Sequence, residues 1–482
     1  MLHIGRNILS LIFSRVLAGL ILFLIYTRLA QYLGPEVAGQ YGLLGGFLMV
    51  FSMFVDLGMS QLVIKKVSEN KNDALKFLSN YFLIQLALAF VFMLVMDLFV
   101  FFAHYPQEVK NALYIAGLGL FLSSLSLPFR SIINAFQKLT IIAKVNFLNS
   151  AINAIFMILV ITLNQGLFFL AFISVAVSTF DVLVYGYLTH TRFVRFKFEF
   201  DKLFIRQLFI WTWPFMLLTF FSIYNRIDTL MLPHLRDFKE TGYYAAAYKF
   251  WDVLAFLPAV IGISLYPFYA ERLSVGAVSD VKKGLETYTR YMIALALPLF
   301  AGAFLLSSEI ALAFYGPDFL PAAPAIWILI AAISVLLVYS PANSLVISQK
   351  TRAATKVTGF TLLFNFGFNL LLIPKYGFVA AAATTLASEI IQASCYAFII
   401  KKGIVNYRFF RSFLKPIVAS ALMSAVVVWL KQDFSLWLII GAGALVYGVA
   451  LLLLRFFQRE DWELLSAALN IKKKLDIDQP LT

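Results

Sequence analysis

The pattern Gln-Lys, five residues, then Lys-Val occurs twice in the chain, as QKLTIIAKV at residues 137–145 and as QKTRAATKV at residues 349–357. Each copy opens an apolar run, and each run carries two asparagines four apart: Asn149 with Asn153, and Asn365 with Asn369. Working outward from these copies, further matches keep the same order. Ile25-Tyr26-Thr27-Arg28 ends the first apolar run, and Ile223-Tyr224-Asn225-Arg226 lies near the end of the seventh. Gly39-Gln40-Tyr41 opens the second run as Gly242-Tyr243-Tyr244 opens the eighth, and Gly166 and Gly377 open the sixth and twelfth. The matched pairs lie about 200 residues apart, so the repeat is six runs long. An even number of crossings returns the chain to the same side, so the repeats are parallel, related by an axis along the membrane normal.

The runs are membrane spans. Of the 482 residues, 61% are hydrophobic and only 13% are charged, with a mean hydropathy of +0.86. A helix of ~20 apolar residues crosses a bilayer. Fourteen such runs follow one another, from residues 8–30 to residues 434–457. The loops between them are too short for a soluble catalytic or ATPase domain. The first run is too long for a signal peptide and carries Arg15, so it is expected to stay in the mature protein. Spans 13 and 14 fall outside the repeat.

The net charge of +14 would suggest nucleic acid in a soluble protein, but here basic residues follow topology. Thirty Lys and Arg fall in one set of alternate loops and tails, six in the other, and three within spans. Basic loops stay in the cytoplasm, so both termini are expected there. The linker between the halves, His190 to Arg206, alternates aromatic and polar residues from Phe193 to Phe200. That alternation suits a short strand or a segment lying on lipid headgroups.

Catalytic signatures are absent. The chain has no P-loop, HExxH or GxSxG motif, the patterns that cradle phosphate, bind zinc or present a nucleophilic serine. Cys395 is the only cysteine and four histidines are scattered, so neither a disulfide nor a metal site is expected. Asp476-Ile477-Asp478 mimics a metal-binding DxD but lies in a polar tail beside Lys472 to Lys474. The informative residues are ionisable groups inside spans: Arg15, Asp56, Arg226, Asp228, Lys249 and Asp252, with Asp181 and Glu389 at nearly equivalent places in spans 6 and 12. Each costs roughly 2.5–3.5 kcal/mol at mid-membrane, so such groups face a cavity or a partner. Lys249 and Asp252 lie three apart on one helix face, and both internal pairing and ligand contact remain open for them. Arg226 and Asp228 are two apart and diverge, which favours a ligand for Arg226.

These residues stand within stretches that resemble the polysaccharide transporter branch, the Wzx-type oligosaccharide flippases, of the multidrug/oligosaccharidyl-lipid/polysaccharide exporter superfamily. The stretches are Tyr32-Leu33-Gly34-Pro35-Glu36-Val37-Ala38-Gly39-Gln40-Tyr41, Asp56-Leu57-Gly58-Met59, Asn225-Arg226-Ile227-Asp228 and Thr241 through Tyr248. Phe314-Tyr315-Gly316-Pro317-Asp318-Phe319 and Tyr376-Gly377 through Ser388-Glu389 continue the match. The resemblance implies two six-helix lobes around a V-shaped cavity, two extra helices, and transfer of an isoprenoid-diphosphate-linked oligosaccharide between leaflets. It also matches Asp228 to an acidic residue of the seventh span, and Arg15 to cationic cavity residues of lipid-linked precursor flippases.

The expectation is therefore an all-α polytopic membrane protein with 14 transmembrane helices. Residues 1–188 form an N-lobe, 189–207 a basic interfacial linker, 208–400 a C-lobe, 401–457 spans 13 and 14, and 458–482 a cytoplasmic tail. Arg15, Arg226 and Lys249 are the diphosphate-binding candidates. Asp56, Asp228, Asp252 and Glu389 are the acidic or coupling candidates. No cofactor is expected beyond coupling to a Na⁺ or H⁺ gradient. The expected setting is the cytoplasmic membrane, with membrane lipids and a polysaccharide polymerase or glycosyltransferase as partners and no nucleic acid. A multidrug exporter of the same superfamily is the nearest alternative, although such proteins typically have 12 spans and acidic cavities. A membrane-embedded polymerase or glycosyltransferase is the next, and a passive scaffold or channel the last.

Overall fold

The computed structural model describes residues 2–221, 227–407, 412–458 and 461, with side chains from Gly19 onward except at 214, 217–221, 263 and 264. Among the described residues every regular element is a helix. Leu2–Asp56 carries spans 1 and 2 and turns between them at Gly34, whose φ of 73° favours a residue without a Cβ. Met59–Glu69 continues span 2. Spans 3 to 6 are Ala74–Phe102, Gln107–Ala135, Leu139–Thr162 and Leu167–Arg192. Span 7 comprises Lys202–Phe221 and Ile227–Leu235, and span 8 comprises Phe238–Leu254 and Phe256–Ser274. Val278–Tyr315 and Ala323–Gln349 are spans 9 and 10. Thr351–Gly403 holds spans 11 and 12 and turns at Gly377, where φ is 61°. Leu414–Leu430 and Leu436–Leu453 are spans 13 and 14.

Ten described helical stretches are long and apolar enough to cross a membrane by length and composition. Two of these, Gly19–Asp56 and Thr351–Gly403, contain the turns at Gly34 and Gly377 and cross twice. Span 7 and the shorter Leu414–Leu430 complete the fourteen.

Hydrogen bonds sort the connections into two faces. On the charge-poor face Gln31 Nε2 donates to the Phe314 carbonyl at 3.0 Å, Tyr32 Oη to the Gln165 carbonyl at 3.3 Å, and Arg236 to the Pro374 carbonyl at 3.2 Å. On the basic face Ser68 Oγ donates to the Ala135 carbonyl at 3.2 Å, Ser79 Oγ to the Lys197 carbonyl at 2.6 Å, and Lys415 to the Arg455 carbonyl at 2.7 Å. The loops that share each face are those the distribution of basic residues had grouped together.

The linker forms no strand, because the surface it crosses is made of helices and offers no edge to pair with. Phe193 packs on Phe136, and Phe196 on Phe82 and Phe129, while Phe198 and Phe200 are exposed. Asp201 then caps span 7 by accepting from the Phe204 N–H at 2.9 Å, and Lys76 pairs with it at 2.9 Å. That N–H, followed by the Lys76 ammonium, holds the Asp201 carboxyl below its ordinary range.

The buried clusters differ between the two halves of the membrane thickness. In the basic half one cluster is built from spans 2 to 6 and takes in Phe204 and Leu208 of span 7. A separate cluster there belongs to spans 8 to 12. In the charge-poor half one cluster joins Tyr26, Ala30 and Ala38 to Leu232, Tyr244 and Ile333. The two sides of the molecule are thus fused at the charge-poor end.

Candidate functional site

Beneath that fused end lies a cavity of about 320 Å³ where spans 1, 2, 4, 5, 6, 7 and 8 converge. Tyr26, Tyr41 and Tyr248 line it with Asn153, Ser174 and Lys249, and Gly45 of span 2, whose Cβ would meet nothing within 4 Å, leaves the space open. The Tyr26 and Tyr41 rings stack with centroids 6.4 Å apart and planes inclined by 28°. Lys249 Nζ lies 4.6 Å from the Tyr26 ring centroid, a cation–π geometry, and 3.7 Å from the Asp252 carboxylate. Both side chains are about one-third exposed, at 34% and 32%. The internal pair and the cavity-facing position therefore coexist at Lys249.

Asp228 is buried at the start of Ile227–Leu235. Its carboxylate accepts from the Thr229 N–H at 2.8 Å and from the Tyr244 hydroxyl, and Thr385 Oγ1 approaches at 3.5 Å. Asp228 thereby joins spans 7, 8 and 12. One turn along span 12, Ser388 meets Asn365 at 3.5 Å, and Asn369 donates to Asn365 Oδ1 at 2.9 Å. The buried Asn369 Oδ1 itself has no hydrogen-bond donor. Oxygens of this kind suit hard cations rather than the soft metals that thiolates select. Among the described residues no group of three or more His, Cys, Asp and Glu forms a metal site.

The other candidates lie elsewhere. Asp56 sits at the break between the two helices of span 2 and accepts from the Ser60 N–H at 3.0 Å, Ser60 Oγ at 2.7 Å and Tyr81 Oη at 2.7 Å. It ties the N-terminal side together at a helix start. Glu389 is buried within the C-terminal side and accepts from Tyr339 Oη at 2.6 Å. Asp181 accepts from Asn149 Nδ2 at 2.8 Å, so span 5 is bonded to span 6 much as span 11 is bonded to span 12. Arg15 lies on the first helix without a described side chain, and Arg226 lies outside the described residues.

A second cavity, of about 1030 Å³, opens among spans 9, 10 and 12 and the entry to span 13. Leu297, Phe300, Trp327, Val338, Ile390 and Phe398 make its lining predominantly apolar, with Lys401 at one end. The sequence carried no local signal for it, because its walls come from helices distant along the chain.

The sequence model of the polysaccharide biosynthesis protein family matches residues 4–272. The chain belongs to this family. Over 406 residues it is 25% identical to the uncharacterized membrane protein MJ1068 of Methanocaldococcus jannaschii, covering 77% of this chain and 79% of that protein. It is 24% identical over 262 residues to the probable flippase AglR of Haloferax volcanii, covering 51% and 54%. The probable lipid II flippase MurJ of Haemophilus influenzae is 32% identical over 143 residues, 25% of this chain and 27% of that one. Among solved structures, the lipid II flippase MurJ in an inward closed conformation superposes with a TM-score of 0.74 at 18% identity, covering 92% of this chain and 97% of its own. An inward-facing multidrug resistance MATE transporter gives 0.55 at 14% identity, covering 88% and 100%. This polysaccharide biosynthesis protein is a multi-pass membrane protein that shares its fold with that MurJ structure.

Proposed function

We propose that the protein carries an isoprenoid-diphosphate-linked oligosaccharide from the cytoplasmic to the outer leaflet of the cytoplasmic membrane, for cell-surface polysaccharide assembly. The observation that carries this reading is the pairing of two unlike cavities. The one among spans 1, 2, 5 and 8 offers tyrosines, an asparagine and a lysine, the groups that stack on and hydrogen-bond to sugars and meet an anion. The other offers the apolar surface that an isoprenoid chain requires. The basic face and both termini lie in the cytoplasm, in line with the distribution of Lys and Arg.

In this proposal Lys249, Arg15 and Arg226 hold the diphosphate as it leaves water. A guanidinium supplies two parallel hydrogen bonds to phosphate oxygens, which an ammonium does not. Residues 1–188 and 208–400 rock against each other about the shared cavity, so that access alternates between faces. A Na⁺ or H⁺ gradient drives the cycle. Among Asp56, Asp228, Asp252 and Glu389, Asp228 is the best-supported coupling residue, because it joins spans 7, 8 and 12 through Tyr244 and Thr385. No chemical step on the substrate is assigned to this chain, and a polymerase or glycosyltransferase uses what it delivers.

The test is reconstitution in liposomes with a defined isoprenoid-diphosphate oligosaccharide, measuring transfer between leaflets with and without Na⁺ and proton gradients. Gradient-dependent transfer, weakened in Arg15→Lys and Arg226→Lys and uncoupled from the gradient in Asp228→Asn, is expected. Folded protein that transfers no lipid-linked saccharide yet expels lipophilic cations would replace this reading with the exporter.

A further inference from the structure

Spans 2 and 8 approach each other at the charge-poor end through two glycines. A Cβ built on Gly39 would collide with the Phe238 carbonyl oxygen and lie 2.7 Å from Gly242 N. A Cβ built on Gly242 would collide with the Pro35 carbonyl oxygen and lie 3.1 Å from Gly39 N. The contact is reciprocal. Pro35 stands to Gly39 as Phe238 stands to Gly242, so each helix presents a carbonyl to the other's glycine, as an isologous interface about a two-fold axis does. Gly42 continues the same register against Ala245, where a Cβ would lie 3.2 Å from the alanine's own. Small residues permit such close backbone crossings, and Cα–H···O contacts accompany them.

Three observations make this crossing a moving part rather than ordinary packing. It joins the N-terminal to the C-terminal side. It lies beside the buried cluster that joins Tyr26, Ala30 and Ala38 of the N-terminal side to Leu232, Tyr244 and Ile333 of the C-terminal side. It is also flanked by other links between the two sides: Gln31 to the Phe314 carbonyl, and Tyr105 Oη to His234 Nε2 at 2.8 Å. His234 Nδ1 also lies 2.9 Å from the Leu230 carbonyl, so the ring is held from both sides.

We infer that the Gly39–Gly242 crossing is the outer seal of the transport cycle, a contact that closes when the cavity faces the basic side and comes apart when it faces the other. The inference rests on alternating access and not on the identity of the substrate. Backbone touching backbone makes the seal abrupt, since a gap of 0.5–1 Å already forfeits a quarter to a half of a dispersion contact. A methyl group on either glycine holds the helices apart and favours the outward-open state.

Spin labels in a Cys395→Ser background test it, one pair at Gln107→Cys and Lys375→Cys on the charge-poor face, the other at Asn72→Cys and Ser279→Cys on the basic face. Gly39→Ala and Gly242→Ala are each expected to raise the long-distance population of the first pair about tenfold or more and to shorten the second pair's distance. Gly302→Ala serves as the control, because its Cβ would meet nothing within 4 Å; it is expected to match the wild type. Folded Gly39→Ala and Gly242→Ala proteins with wild-type distances would overturn the inference, as would widening without narrowing at the basic face, or an equal shift in the control. If the alanine variants do not fold, a bifunctional thiol linker joining Gln31→Cys to Phe314→Cys decides the matter. Holding the seal shut must abolish transport in liposomes and cleaving the linker must restore it; undiminished transport through the linked protein overturns the proposal.

Discussion

Spans 2 and 8 make the same crossing from opposite sides of the molecule, and below it they diverge. Gly39 and Gly242 meet in a common register, which carries on to set Gly45, Gly46 and Met49 opposite Tyr248, Lys249 and Asp252. Span 2 therefore contributes space where span 8 contributes an aromatic hydroxyl and a charge pair. Symmetry at the crossing lets the helices close. Asymmetry one turn below turns the closed crossing into a chemically equipped cavity. A duplicated fold can hold both properties because the backbone contact depends on two glycines, while neighbouring positions are free to differ.

A second charge pair shows what a structural pair looks like by contrast. Arg290 of span 9 donates to both oxygens of Asp461, at 2.6 and 2.8 Å, and the two side chains are only 10% and 8% exposed. The Tyr291 hydroxyl and the Gln458 N–H complete the carboxylate's shell. Arg290→Met strands a buried carboxylate and is expected to lower stability by about 3 kcal/mol, leaving transport per folded molecule near wild type. Chemical denaturation together with liposome transport checks both halves. Unchanged stability would erase the contrast with Lys249 and Asp252.

The next effect tests the space on span 2. No atom lies within 4 Å of a Cβ on Gly45, so Gly45→Leu adds bulk to the cavity without disturbing the crossing. Transport is expected to fall about 100-fold, the scale of a misplaced substrate, with the unfolding midpoint unchanged. A full rate would mean that substrate does not use this side. Lys249→Met, on the facing side, is expected to cost about tenfold in transport, or about 1.4 kcal/mol. Its effect on stability should stay below about 1 kcal/mol, because the pair with Asp252 is partly exposed. If stability falls and transport does not, Lys249 is structural and the asymmetry loses its function.

The smallest effect lies far from the crossing, at the cap of span 7. The folded-state pKa of Asp201 is lowered, so its contribution is present above the unfolded-state value and is lost as pH falls through the folded one. Asp201→Asn should therefore be less stable than wild type near neutrality, with the gap closing under acid. Thermal unfolding across pH 3 to 7 checks it. A gap that grows toward low pH would contradict the capping geometry.

Much of the fold was legible in the sequence. Apolar runs of bilayer length are forced by the cost of exposing backbone polar groups to lipid, and the basic loops divided the connections between two faces before any contact was known. The repeated motifs also aligned Gly39 with Gly242, the two residues that meet. Composition and run length cannot specify which helices touch, because an apolar helix is compatible with lipid or with a neighbour on every side. Hence Tyr26, Tyr41 and Asn153 stood out only as marks of the repeat, with no sign that they line one cavity with Ser174, and the apolar cavity of spans 9, 10 and 12 had no trace in any single segment. Asp56 and Lys249 carry the same signal in the sequence, a charge inside an apolar run. Only the tertiary structure separates them, by surrounding Asp56 with Ser60 and Tyr81 and by opening a cavity in front of Lys249.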